Sequence, residues 1–302
     1  MFVTSRRGRM VLAGVIAAVL AVVVGCSGKS ATVGGTGGDS NSKSVTLAVV
    51  QGWDEDIAAS YLWKELLERK GYQVNLQQLD IASTFTGLAN NQVDAYLDAW
   101  LPSTHQSYWE KFGSKLNDVG SWYSPADLVL AVPNYVQINS IDELKGKAGQ
   151  FDGKIVGIEP GAGEMRIARN NVLPAYGLNG EYQLAEGSTP AMLASLDSAI
   201  KENKPIVVTL WHPHLAFTKF PIKVLQDPKG AWGKPDELHS VTSQKFAQSK
   251  PDVTGWLKKF HLDDHQLGTL EQLIEQKGKG HEQDAAKEWL NQNPQVASSF
   301  TG

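Results

Sequence analysis

The 302-residue chain contains a single cysteine, Cys26, and this scarcity excludes several kinds of structure. One thiol cannot form an intramolecular disulfide, and it cannot supply the paired cysteine ligands of a structural zinc site. Small secreted domains need disulfides because they bury too little apolar surface, whereas a chain of this length can hold its fold by packing alone. We therefore expect a large hydrophobic core without covalent cross-links.

Basic residues are also scarce. The chain has 28 Lys and Arg against 32 Asp and Glu, and removal of the first 25 residues would leave a net charge near −7. The sequence contains no basic stripe. Because a nucleic-acid partner requires clustered positive charge, this composition argues against nucleic-acid binding.

Long apolar runs are absent apart from one near the N-terminus. Met10–Val24 spans 15 residues, follows three arginines and ends at small residues before Cys26. A bilayer span needs about 20 apolar residues, so a retained transmembrane helix is the weaker interpretation. The pattern is typical of a lipoprotein signal peptide over residues 1–25. We expect Cys26 to carry lipid and to anchor the protein on the extracytoplasmic face of the cell membrane.

The rest of the chain divides into a tether and a folded part. Residues 26–43 are rich in Gly, Ser and Thr, a composition typical of a flexible tether. The part that follows exceeds the usual size of a single core, so we expect two lobes, with Pro133 near the crossing and a helical tail from Lys245. The predicted segments are 44–132 and 225–302 for lobe I and 133–224 for lobe II.

Short β-rich runs alternate with amphipathic patterns from Val45 onward, which predicts an α/β fold with largely parallel sheets flanked by helices. The predicted strands are Val45–Val50, Val74–Leu79, Asp94–Leu101, Leu128–Val132, Lys154–Glu159 and Pro205–Leu210. The predicted helices are Asp54–Arg69, Ser83–Leu88, Thr104–Leu116, Glu164–Tyr176 and Pro190–Asn203. Ser83 and Thr189 are the expected N-caps of two of them, and Ser140 with Glu143 is the expected capping box of a single turn.

Three of the nine tryptophans lie at the carboxyl ends of predicted strands: Trp53, Trp100 and Trp211. Each could simply pack in the core. In open α/β sheets, however, ligands bind beyond the carboxyl ends of strands, so these side chains can converge on one crevice. Indole faces attract cations, and a quaternary ammonium offers no N–H donor, so an aromatic cage suits it. A lysine or arginine ligand would instead require carboxylates.

The loop Gly161-Ala162-Gly163 lies between a predicted strand and the predicted helix that begins at Glu164. Backbone amides at a helix N-terminus form a ready anion site, and glycine permits close approach. The Glu164 charge would tend to oppose an anion. His105 could add a hydrogen bond. Each of these features also has a plain structural interpretation, as a strand-to-helix turn and a histidine at a helix start.

Four segments together resemble the glycine betaine-binding proteins of osmoprotectant ABC importers, and the similarity extends from about Val45 to the C-terminus. They are Gly52–Glu55, Asp98–His105, Gly157–Met165 and Val208–His214. The resemblance implies a two-lobed, type II periplasmic-binding-protein fold in which each lobe is a mixed, largely parallel sheet and the ligand lies in the interlobe cleft. It also implies a monomer that delivers ligand to an ABC permease and its ATPase, without a metal or cofactor.

The resemblance also implies roles for particular residues. Trp53, Trp100 and Trp211 would surround the ammonium group, while the Gly163 and Glu164 amides and His105 would bind the ligand carboxylate.

Related choline binders add a fourth aromatic and a polar contact near the first tryptophan, which Asp54, Glu55, Trp122 and Tyr123 could supply here. None of these four falls in a motif that can be matched firmly to those contacts of the choline binders. His105 and the glycine loop favour a zwitterion with a carboxylate over choline. Choline or carnitine is the alternative ligand.

Three other functions are weaker. A metal receptor is suggested by His212 and His214, but a third and fourth ligand at recognisable spacing are missing. An enzyme would need a catalytic motif, and the sequence has no G-x-S-x-G elbow, no H-E-x-x-H and no phosphate-binding lysine loop. The ligand subunit of a sensor would share the binding fold, and the sequence does not separate it from a transport receptor.

Overall fold

A computed structural model describes residues 43–301, so the expected signal peptide and Cys26 lie outside the described residues. The described strands are β1 (Ser44–Val49), β2 (Gln73–Gln78), β3 (Ala95–Leu101), β4 (Leu116–Pro133), β5 (Lys154–Val156), β6 (Gln183–Ala185), β7 (Val208–His212), β8 (Ile222–Val224) and β9 (Asp236–Ser243). Within residues 43–301, no helix combines the length and the hydropathy that a bilayer span requires.

Twelve α-helical segments surround these strands in the described part of the chain. They are α1 (Asp54–Arg69), α2 (Ile81–Ala89), α3 (Gln106–Phe112), α4 (Gly163–Ile167), α5 (Leu173–Ala175), α6 (Thr189–Lys201), α7 (Ala216–Lys219), α8 (Gln244–Ser249), α9 (Pro251–Leu257), α10 (Asp264–Lys277), α11 (Glu282–Gln292) and α12 (Pro294–Thr301). Helix α1 has three acids in its first turn and an arginine in its last, which complements the helix dipole. Helices α10 and α11 pack against α1.

The first sheet has the order β2-β1-β3-β9-β4. Strand β1 is parallel to β2 and β3, whereas β9 is antiparallel to both β3 and β4. Every residue of β3 is buried, and helices α1 and α2 pack against this strand. Its core includes Trp63, Phe85 and Trp122.

The second sheet shares the long strand β4. Residues Asp127–Ala131 of β4 pair antiparallel with β7, and the last residues of β4 pair with β8. Strand β7 then pairs in parallel with β5, and β5 with β6. A separate hydrophobic cluster around Leu130, Ile155 and Leu173 supports this sheet. The architecture is a mixed α/β fold, in which β4 passes from one sheet to the other near Ala126. The lobe boundaries at 132/133 and 224/225 stay a prediction.

The sequence pattern does not predict two stretches of strand. Strand β9 is rich in polar residues, and Ser240 and Thr242 are fully buried in it. It is an internal strand that pairs with β3 on one edge and with β4 on the other. The first half of β4 contains Gly120 and Pro125 and shifts register three times against β9. The expected helix to Leu116 is wrong in its second half, since the α-helix ends at Phe112 and a 3₁₀ turn leads into β4.

The expected helix caps also need correction. The carboxylate of Asp80, and not Ser83, caps α2 by accepting a hydrogen bond from the Ser83 amide at 2.8 Å. Ser188, one residue before the expected Thr189, caps α6.

Two other local expectations fail near the second sheet. Ser140 and Glu143 form no capping box, because the Ser140 hydroxyl turns to Asp142. The expected helix over 164–176 is interrupted by a π turn at Ala168–Val172. The strand expected at Pro205–Leu210 lies slightly later, as β7.

Candidate ligand-binding site

The carboxyl ends of β1, β3 and β7 meet the loop after β5 around a small cavity of about 20 Å³. The residues that line it are Trp53, Glu55, Trp100, Thr104, His105, Leu128, Ile158, Ala162, Gly163, Glu164 and Trp211. All six residues expected at the site from the sequence are therefore brought together in one cavity. Thr104, Leu128, Ile158 and Ala162 complete its walls.

The three tryptophans form angled walls. The rings of Trp53 and Trp211 lie 6.3 Å apart with 67° between their planes. Trp53 also stacks on His105 at 5.8 Å, and Trp211 meets His214 edge-on at 4.6 Å. None of the three tryptophans is more than 5% exposed. The cavity thus presents desolvated indole surface, the environment in which a cation–π contact is strongest.

Trp100 is held by partners on both its side chain and its backbone. Its indole Nε1–H donates to Asp98 at 3.0 Å. Its amide donates to Nδ1 of His105 at 2.9 Å, and its carbonyl accepts from the His105 amide at 2.9 Å. These contacts close the turn after β3, so Trp100 and His105 are positioned as one unit.

The Trp100 amide also determines the tautomer of His105. Because Nδ1 accepts a hydrogen bond, the proton of the neutral ring lies on Nε2. Burial, with a smaller effect of Arg166, lowers the pKa of His105 to about 3, so the ring stays neutral. Nε2 has no hydrogen-bond partner among the described residues. His105 therefore provides a buried N–H donor at the cavity, suited to an anionic ligand group.

The turn that bears His105 is clamped from two sides. The carboxylate of Asp236 in β9 accepts hydrogen bonds from the amides of Ser103 at 2.8 Å and Thr104 at 2.7 Å. The guanidinium of Arg166 in α4 donates to the Ser103 carbonyl at 2.8 Å. This clamp joins the first sheet to the helix that follows β5.

The glycine loop approaches the same turn closely. A Cβ at Gly163 would lie 1.9 Å from the carbonyl oxygen of Thr104, so only glycine fits here without displacement. The hydroxyl of Tyr108 donates to the Gly161 carbonyl at 2.8 Å. The close approach places the start of α4 against the cavity and beside the turn after β3.

The Glu164 side chain is 2% exposed and neither carboxyl oxygen makes a hydrogen bond of normal geometry. Burial, helped by the charge of Glu159, raises its pKa well above the usual range, although nearby Thr209 and Leu210 oppose this shift. A neutral acid does not repel an anion. The expected conflict between Glu164 and a bound carboxylate is therefore removed by burial.

Residues 43–292 match the family described as the substrate binding domain of the ABC-type glycine betaine transport system. The chain belongs to this family. The family is a class of transport receptors and not of enzymes, which confirms that part of the sequence prediction.

Several relatives support the same assignment. The chain is 34% identical over 161 residues to the glycine betaine/carnitine transport binding protein GbuC of Listeria monocytogenes, a match that covers 53% of each chain. The match thus spans about half the length of that relative.

Solved structures cover more of the chain. A glycine betaine, L-proline-binding protein (ProX) from Borrelia burgdorferi is 32% identical, with a TM-score of 0.81 over 86% of this chain and 97% of its own. Lactococcal OpuAC, closed and complexed with glycine betaine, is 30% identical, with a TM-score of 0.79 over 86% and 99%. These likenesses confirm the two-lobed, type II periplasmic-binding-protein fold.

The structure separates the four residues that could supply the additional contacts of the related choline binders. Only Glu55 lines the cavity. Asp54 faces a neighbouring groove, with its carboxylate 3.5 Å from Nδ1 of His214. Trp122 stacks on Phe260 in the core, and the Tyr123 hydroxyl donates to Asp264 at 2.9 Å. Neither of these two aromatics lines the cavity.

The histidines that suggest a metal receptor have aromatic neighbours instead. His212 stacks on Phe217 at 3.7 Å, and His214 packs against Trp211. Within residues 43–301, no three His, Cys, Asp or Glu side chains group in a way that could hold a metal ion.

Asp98 is not predicted as a site residue from the sequence, although it supports a wall of the cavity. It is fully buried below the cavity and anchors Trp100. An acid in an otherwise apolar strand is the signal that could have pointed to it, because a buried carboxyl requires a reason.

Proposed function

We propose that the chain is the extracytoplasmic receptor of an ABC importer and captures glycine betaine, or a closely similar quaternary-ammonium solute, between its two lobes. The observation that carries this proposal is the gathering of Trp53, Trp100 and Trp211 around one desolvated cavity with the His105 N–H beside them. The trimethylammonium group binds the indole faces. Each such wall contributes about 2 kcal/mol when it is desolvated.

The carboxylate end of the ligand binds beside the cage. The neutral His105 ring donates from Nε2, and the backbone amides of Gly163 and Glu164 at the start of α4 are the further donors. A zwitterion thereby has both charges matched, whereas choline lacks the carboxylate. This asymmetry favours glycine betaine over choline.

Capture requires the lobes to move, because the tryptophan walls are almost fully buried. Ligand enters while the lobes are apart, and hinge closure completes the cage. Three contacts are made on closure: Arg166 with the Ser103 carbonyl, Gly163 with Thr104, and Tyr108 with Gly161. The closed form then presents one surface to the permease.

The site of action follows from the N-terminal sequence. Cys26 carries lipid after removal of residues 1–25, and the Gly/Ser-rich tether lets a monomer reach its permease from the outer face of the membrane. The ATPase of the importer supplies the energy for transport. Metabolic labelling with a radioactive fatty acid tests this part: label should enter the wild type and be absent from a Cys26→Ala variant.

A calorimetric panel on the domain from residue 43 onward tests the ligand. Glycine betaine, proline betaine, carnitine, choline and ectoine are titrated separately, with zinc chloride as the competing metal hypothesis. The proposal expects glycine betaine or proline betaine to bind most tightly. Failure of every quaternary ammonium to bind, or binding of zinc alone, would overturn it.

A further inference from the structure

Three carboxyl groups lie together beneath the tryptophan cage. Glu55 and Asp56 come from the first turn of α1, and Asp98 comes from β3. Each is 1% exposed or less. Buried acids at such density are expensive to ionise, so each one requires a partner or a purpose.

Two of the three are explained by their hydrogen bonds. Asp98 accepts from Nε1 of Trp100. Asp56 accepts from the Val50 amide at 2.7 Å and the Ser60 hydroxyl at 3.1 Å, which ties α1 to the end of β1. Glu55 differs from both, because neither of its oxygens has a partner of normal geometry. Glu55 is also the one of the three that lines the cavity.

The surroundings of Glu55 are themselves acidic. The titratable or polar groups that act on it or on its acidic neighbours are Asp54 and Asp56 of α1, Tyr96 and Asp98 of β3, Trp211 of β7 and Glu271 of α10. Beyond Asp54 lie Glu275 and Lys219, which form an ion pair with each other. Burial dominates and raises the pKa of Glu55 well above its usual range, although the Glu55 amide and the Trp211 indole oppose the shift. The empty cage therefore favours the neutral, protonated form of Glu55.

We propose that Glu55 is the counter-ion of the bound ammonium and that filling the cage drives its proton into solvent, so that capture of ligand is coupled to proton release. The inference rests on the proposed function. The O–H bond of the carboxylic acid breaks, its electron pair remains on the carboxylate, and the proton passes to buffer. A fixed positive charge beside Glu55 stabilises the carboxylate beyond what the Glu55 amide and the Trp211 indole provide.

Coupling gives the binding constant a definite pH dependence. Because binding releases a proton, affinity rises with pH until the acid is already ionised in the empty protein. The slope approaches tenfold per pH unit for about one proton released. Glu164 also lines the cavity, and a bound ligand carboxylate would act on its protonation. A ligand without a carboxylate therefore isolates the effect of Glu55.

The test uses titration calorimetry with glycine betaine and with tetramethylammonium, between about pH 7 and pH 8, in phosphate and in Tris. These buffers differ in ionisation enthalpy, so the difference in observed heat counts the protons. We expect release of about one proton with both ligands, lost in Glu55→Gln. The matched control is Asp152→Asn, an exposed acid at φ 51°, a conformation that asparagine adopts readily. It should keep the release.

The outcomes are distinguishable. Tight binding of both ligands to the wild type without buffer-dependent heat overturns the coupling and leaves the proposed function standing. If neither ligand binds, the proposed function itself is overturned. Proton release that persists in a folded Glu55→Gln variant assigns the proton elsewhere and also overturns the inference. The wild-type pH series decides the first two cases even if the variant does not fold.

Discussion

Replacement of Trp53 by leucine tests whether this side chain acts in ligand binding or only in core packing. Trp53 lines the cavity, and its indole N–H has no hydrogen-bond partner, so the substitution removes a π face without breaking a hydrogen bond. Trp63, in the same helix region, is a matched control. It is fully buried and also has an unpartnered N–H, but it packs against Phe260 and Phe300 away from the cavity.

The magnitudes follow from these environments. Loss of one desolvated cation–π wall costs about 2 kcal/mol, which weakens glycine betaine binding about 30-fold. Both leucine variants also lose buried aromatic volume, which lowers the free energy of unfolding. The loss should be smaller than for truncation to alanine, which costs about 3–5 kcal/mol. Trp53→Phe keeps an aromatic face and should lose less affinity than Trp53→Leu.

Calorimetry with glycine betaine measures affinity, and thermal unfolding of the ligand-free proteins measures stability. We expect Trp63→Leu to lower the melting temperature and leave affinity unchanged, while Trp53→Leu loses affinity. Equal affinity loss in the two variants would mean that general destabilisation, and not the cage, sets binding. Unchanged affinity in Trp53→Leu would refute the position of Trp53 in the ammonium site.

Three further substitutions test other parts of the site. Gly163→Ala should weaken ligand binding at least about tenfold, since its Cβ would meet the Thr104 carbonyl at 1.9 Å and hold the lobes apart; calorimetry with unchanged affinity would contradict this. His105→Ala should weaken glycine betaine more than tetramethylammonium, because only the former has a carboxylate; an equal loss for both ligands would remove His105 from the carboxylate site. Glu164→Gln should gain stability over the wild type as pH rises. The raised pKa means that the folded protein binds the Glu164 proton more tightly than the unfolded chain, so the wild type loses stability above the unfolded pKa by about 1.4 kcal/mol per pH unit until the folded pKa is reached. Parallel stability curves for the two proteins between acid and alkaline pH would contradict that sign.

Local patterns predict the early elements well. Helix α1 begins and ends at the expected residues, because its acids, apolar spacing and following glycine all agree. Strands β4 and β9 show the opposite case. Their polar residues and Gly120 weaken the local signal. They become strands because they pair with each other, and β9 also pairs with β3, over long sequence separations. A single-sequence pattern does not contain that pairing.

The amino-acid sequence by itself determined the chemistry of the site: three tryptophans at strand ends, a glycine loop and a histidine, together suited to a quaternary ammonium with a carboxylate. Only the tertiary structure decided between neighbours such as Asp54 and Glu55. Consecutive residues of a helix point about 100° apart, so packing of α1 turns one carboxyl into the cage and the other towards a separate groove. The tertiary structure likewise decided the tautomer of His105 and the neutral state of Glu164. Both depend on hydrogen bonds and burial that exist only when β3, β5 and β7 are packed together.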